Sequence, residues 1–152
     1  QWFSFFISII LGKAITEELG GNKKAQIISA LVISTLPMAI LQSSSTQNGL
    51  VVSGFILAFA FFMLRLYRIF CKENAVFAGL SLGLAFLTKG IAFLYGAGIG
   101  ICLAIPIIIK TYPKFVLSWK RAVALLLVLF LALSIDTGFF YRNIQLYNYP
   151  LA

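Results

Sequence analysis

Long apolar runs alternate along this chain with short polar and basic interruptions. The runs cover residues 1–12, 25–41, 50–64, 75–88, 91–109 and 122–140. An α-helix rises about 1.5 Å per residue, so about 20 apolar residues cross a hydrocarbon core of about 30 Å. The expected fold class is therefore all-α, a polytopic transmembrane helix bundle in one domain of about six spans. Gln1 opens inside an apolar run, without a basic leader, so the first span reads as truncated and the chain as a fragment. Three of the runs are only 14–17 residues long. Short spans predict a locally thinned bilayer or helix ends recessed within the protein.

The basic residues decide how the runs are paired. Lys13, Lys23 and Lys24 form one cluster, Arg65, Arg68 and Lys72 a second, and Lys110, Lys114, Lys120 and Arg121 a third. The positive-inside rule places all three on the cytoplasmic side. Two crossings joined by an outer turn at "QSSSTQNG" separate the first two clusters. Between the second and third, Ala75 to Ile109 carries a single charge, Lys89. One helix across that stretch would be about 52 Å long and would bury the lysine, at a cost of about 2.5–3.5 kcal/mol. Two crossings, 75–88 and 91–109, turn at Lys89-Gly90 instead and keep both clusters inside. The same logic puts "YRNIQLYNYPLA" outside. "GKAITEELGGNKK" reads as a short cytoplasmic helix that Gly20-Gly21 stops.

Composition agrees with this reading and narrows the chemistry. The chain is 61% hydrophobic and 11% charged, with mean hydropathy +1.01, whereas soluble domains carry roughly 25% charged residues. It has no histidine, and its acids are Glu17, Glu18, Glu73 and Asp136. Histidine-based triads are excluded within the chain, and no metal site or cofactor is expected. The net charge of +8 belongs to short loops, so anionic lipid headgroups, not nucleic acid, are the expected partner. Cys71 and Cys102 are placed at different depths, which argues against a disulfide.

Lys89 and Arg142 are the two basic residues placed outside. Snorkelling to headgroups is one reading; a site for an anion such as a lipid-linked phosphate is the other. "QSSSTQN", residues 42–48, presents seven hydrogen-bonding side chains. Helix capping by Asn48 or Thr46 uses one or two of them, and a sugar-binding cleft would use more. The glycines of "GLSLG" and "GAGIG" lie in spans, where they indicate close helix packing rather than a nucleotide loop. Pro37 and Pro106 are expected kinks. Tyr141, Tyr147 and Tyr149 fit an outer aromatic belt. Asp136 lies about a turn inside the last span. An intramembrane carboxylate is a functional candidate; an ion pair with Arg142, or a polar contact with another helix, explains it equally.

"LPMAILQSSSTQNGLV" (36–51), "AGLSLGLAFLTKGIAFLY" (78–95) and "YRNIQLYNYPLA" (141–152), in that order, resemble bacterial membrane glycosyltransferases of the GT-C fold. The resemblance is to those related to protein mannosyltransferases and lipid A aminoarabinose transferases. The middle block, with its G-L-x-L-G-L-A-x-L-T-K-G pattern, is the most specific. Gly49 stands where many relatives have an acid, and Tyr149 where the last block usually has Asn. The resemblance implies transfer of a sugar from a polyprenyl-phosphate donor to an acceptor at the external or periplasmic face of the cell membrane. It implies lipid-phosphate binding at Lys89 and Arg142. Sugar or acceptor binding would fall to Gln47, Asn48, Tyr95 and Asn143. The catalytic carboxylate is expected upstream of Gln1, with Asp136 a weaker candidate. The rival readings are a transporter or flippase for a lipid-linked glycan, and a noncatalytic membrane subunit.

Overall fold

The computed structural model describes residues 1–109 and 119–147. These form helices α1 (Trp2–Glu18), α2 (Lys23–Thr35), α3 (Pro37–Ser43), α4 (Gly49–Arg68), α5 (Lys72–Thr88), α6 (Ala92–Ile109) and α7 (Trp119–Tyr147). No strand occurs among the described residues. The all-α expectation holds. Two segments, Gly49–Arg68 and Arg121–Leu146, are long and apolar enough to cross a membrane, and α2 with α3 makes a third if that bent pair is one span.

The breaks follow local chemistry. Pro37 has no N–H and disfavours helix at the residue before it. α2 therefore ends at Thr35, and α3 leaves at 59°. Pro106, by contrast, lies inside α6 without ending it. Gly20 adopts φ +89°, the left-handed geometry that stops α1. The Asn22 side chain then caps α2 by accepting from the Ala25 N–H at 2.9 Å.

Two boundaries differ from expectation. The separate cytoplasmic helix over residues 12–19 does not exist, because α1 runs unbroken from Trp2 through Lys13 to Glu18. Gly12, the one glycine before Gly20, keeps helical geometry and is buried against Ile33 of α2, and an exposed lysine on a helix surface costs the helix nothing. At the other end α7 continues seven residues beyond Phe140, to Tyr147.

Contacts between named residues fix the directions. Gln1 reaches Asn48 at one end of α1, and Glu18 reaches Arg65 and Arg68 at the other. α1 and α4 thus run parallel. α5 and α7 are parallel as well: a Cβ built on Gly79 would lie 3.0 Å from the Val128 carbonyl oxygen, and one on Gly83 would lie 3.1 Å from that of Ala132. The small residue at each point lets the two backbones approach. α6 returns antiparallel, its far end held by Arg121, which donates to the Ile107 carbonyl at 3.3 Å. That bond satisfies a carbonyl of the last helical turn.

α5 is the central element, packed between α4 and α7, with α6 laid across them. The core is Phe59, Met63 and Leu66 of α4, Ala75, Ala78 and Leu82 of α5, and Ala124, Val128 and Ala132 of α7. Among the described residues the α4 and α7 backbones do not approach each other directly; α5 lies between them, and α6 spans the gap on one side. It turns Gly96 and Gly100 towards that space, and an apolar cavity of about 340 Å³ remains behind it. Exposed apolar side chains such as Phe3, Ile28, Leu94 and Phe130 lie on the outer faces, as contact with lipid requires.

Candidate functional site

Two chain breaks meet at one end of the bundle, the α3–α4 connection and the α5–α6 turn. Between them lies a cleft of about 500 Å³ whose polar lining includes Gln42, Ser53, Lys89 and Tyr95. The turn that carries Lys89 is firmly built. α5 ends at Thr88, and Lys89 takes extended backbone angles. The Lys89 N–H donates to Ala85 O at 3.2 Å, while its own carbonyl accepts from the Ala92 N–H at 2.9 Å. Phe93 N–H closes on Gly90 O at 3.1 Å. Behind the turn, Phe86 and Phe93 stack with ring centres 4.0 Å apart. The backbone at Lys89 is thus pinned, and its four-carbon stem is free to reorient.

The two-helix reading of 75–109 is what the structure contains, with the Lys89-Gly90 turn at the same end as the polar run. Tyr95 lies on the α6 face that also presents Ile99 to the cleft, beside Ile91 of the preceding turn. Gln47 and Asn48 are exposed and do not line it. Asn48 does not cap α4 with its side chain; its Oδ1 accepts from Gln1 Nε2 at 3.4 Å. Arg142 is exposed on α7, its guanidinium 6.0 Å from the centre of the Phe139 ring. Asn143 is buried. The structure therefore brings Lys89 and Tyr95 together, and leaves Gln47, Asn48, Arg142 and Asn143 outside the cleft lining. Tyr149 and the third basic cluster up to residue 118 lie outside the described residues.

Asp136 has no exposed surface, and neither carboxylate oxygen has a hydrogen-bond partner among the described residues. It continues the buried stripe Ala124, Val128, Ala132 on α7. The alternative of an ion pair with Arg142 is not realised.

Gln42 was expected only as one of the seven polar side chains of residues 42–48, from which Gln47 and Asn48 were singled out, and Ser53 was not expected to line a site. "QSSSTQN" reads as a turn, yet α3 extends through Ser43, so Gln42 projects from a helix beside the start of α4. A Cβ at Gly49 would stand 2.8 Å from the Gln42 Oε1. The missing side chain at Gly49 is what admits the glutamine amide there. Ser53, one turn on, donates to Gly49 O at 3.0 Å.

Lys89 is the only charged residue among the described lining. One ammonium, one amide, one hydroxyl and one phenol can hold an anion that carries a hydroxyl-rich group. They contain no carboxylate to serve as a base. No family model matches the chain, and no curated protein or solved structure matches it either.

Proposed function

We propose that the chain is the membrane core of a glycosyltransferase that takes a sugar from a polyprenyl-phosphate donor at the external face of a cell membrane. The observation that carries this reading is the position of Lys89 in a cleft beside Gln42, Ser53 and Tyr95. A lone cation among neutral hydrogen-bonding groups suits a phosphate joined to a sugar. The apolar cavity behind α6 suits the hydrocarbon part of such a donor. The three matching sequence blocks point the same way. In this reading α1, the α2–α3 pair, α4, α5, α6 and α7 are six crossings, and the Lys89 end faces outward. α1 and α5, at 17 residues each, are about 25 Å long, so their ends lie recessed below the headgroups.

Lys89 has two tasks here. It binds the donor phosphate where water is scarce and the field of a charge reaches further. It also stabilises the negative charge that grows on the phosphate as the sugar departs. The base that activates the acceptor is assigned to no residue of the cleft.

The test is donor titration with the full-length protein in lipid nanodiscs. Lys89→Ala is expected to lower kcat/KM about 10–100-fold, as loss of a charge-assisted contact predicts. Wild-type kinetics in Lys89→Gln would refute the phosphate role and leave a snorkelling lysine. Movement of a lipid-linked glycan without sugar transfer would support a flippase instead.

A further inference from the structure

Two opposite charges stand without partners at one end of this bundle. Lys89 forms no hydrogen bond or ion pair through its side chain among the described residues. Asp136 is fully buried, with both oxygens unsatisfied. A carboxylate taken out of water without a donor is strongly destabilising, so its position calls for a partner.

The helix register sets the two at a similar level along the bundle. Gly79 meets α7 at Val128, and Gly83 meets it at Ala132. The next turn sets residue 87 of α5 level with Asp136, and Lys89 follows two residues later, just past the end of α5. The ring contacts tie the same three elements together. Phe93, just after the Lys89 turn, stacks on Phe86 of α5 and lies 6.0 Å from Phe140, one turn beyond Asp136 on α7. Arg142, the other described cation at this end, is exposed over Phe139 and stands six residues on, away from the Asp136 face. Lys89 is thus the cation placed to answer the carboxylate.

We propose that Asp136 is the resting counter-ion of Lys89, which leaves it to bind an anion in the cleft. The lysine swings about a pinned backbone between two positions. In one, its ammonium pairs with Asp136 at the α5–α7 seam. In the other, seen here, it lines the cleft with Gln42 and Tyr95. An anionic ligand draws the ammonium to the cleft, and its departure returns it to the carboxylate. Asp136 is then a positioning residue that sets how tightly the anion is held. The exchange rests on the anion-binding reading of Lys89, whereas the pairing does not.

Both parts can be measured on the full chain in lipid nanodiscs. Thermal midpoints of Lys89→Gln, Asp136→Asn and the double variant form a cycle. Pairing predicts a double variant that loses several degrees less than the sum of the single losses; additive losses overturn the proposal. Binding is read with farnesyl phosphate, using farnesol as the uncharged control. Asp136→Asn is expected to bind farnesyl phosphate about tenfold more tightly than wild type, with farnesol unchanged. Unchanged or weaker farnesyl phosphate binding, beside a coupled cycle, overturns the exchange. A coupled cycle in a wild type that does not bind farnesyl phosphate supports the pairing and refutes the anion site. If Asp136→Asn fails to fold, Lys89→Cys with Asp136→Cys, in a Cys71→Ala, Cys102→Ala background, replaces the cycle. Oxidation should join them far faster than Lys89→Cys with Val128→Cys, two turns deeper, and equal rates overturn the proposal.

Discussion

At the scale of single residues, the cleft separates side chains that resemble one another in sequence. Gln42 and Gln47 are both amides of the same polar run, yet only Gln42 lines the cleft. In the transfer assay, Gln42→Ala and Ser53→Ala should each lower kcat/KM by roughly 5–10-fold, about the worth of one neutral hydrogen bond. Gln47→Ala should stay within twofold. A larger effect at Gln47 than at Gln42 would show that the lining seen here is not the working one. Lys89→Arg should keep part of the donor affinity, because the charge remains while the planar fork changes the geometry. Lys89 was legible in the sequence because one charge interrupts 35 otherwise uncharged residues, and burial costs dictate where such a charge can go. Ser53 was not legible, and nothing marked Gln42 out from the other polar side chains of residues 42–48. The role of both depends on how far α3 runs before it turns, and on the missing side chain at Gly49. Neither hydropathy nor spacing carries that information.

At the scale of helices, the glycines are unequal in a way the sequence does not reveal. Gly79 and Gly83 face the α7 backbone, whereas nothing lies within 4 Å of a Cβ built on Gly98. Gly79→Ala is expected to destabilise the bundle by about 1–3 kcal/mol through overpacking. Gly98→Ala should be neutral or slightly stabilising, by up to about 1 kcal/mol, from the lower conformational freedom of alanine. Thermal midpoints of the two variants in nanodiscs give the comparison, and equal losses would contradict the α5–α7 seam. At the opposite end, Glu18 accepts from Arg65 Nε and from an Arg68 terminal nitrogen, each at 3.3 Å. The arginines are about half exposed, so Glu18→Gln should cost no more than about 1 kcal/mol, checked by the same melt. Helix existence was readable from the apolar runs, since burying backbone in lipid demands helix. Helix ends were less so. Lys13 looked like a boundary, but a lysine at a helix surface ends nothing; the positive φ of Gly20 does.

At the scale of the whole molecule, the alternation of basic loops predicts which ends share a side, and the directions of α1, α4, α5, α6 and α7 are consistent with it. Cysteine labelling in a Cys71→Ala, Cys102→Ala background should mark position 90 and position 47 from one face, and position 24 and position 72 from the other. Labelling of 90 from the same face as 72 would rule out the two-crossing arrangement of α5 and α6, and the functional reading with it. Which helices lie side by side was beyond the sequence, because neighbours in a bundle are chosen by surface shape. α4 with α5 is a hairpin, but two of the most closely packed pairs, α1 with α4 and α5 with α7, are not.

That last point bears on how the chain is made. α1 with α4, and α5 with α7, are parallel neighbours, so each pair must wait for intervening helices before it can close. When α5 emerges from the ribosome, its glycine face has no mate, and it stays bare until some forty further residues, up to Val128 and Ala132, have been made. Synthesis that stalls after residue 109 would leave Gly79 and Gly83 facing lipid or a quality-control factor. The late arrival of α7 leaves this seam open longer than the hairpins of the bundle, which makes it a place where an incompletely inserted chain can be recognised.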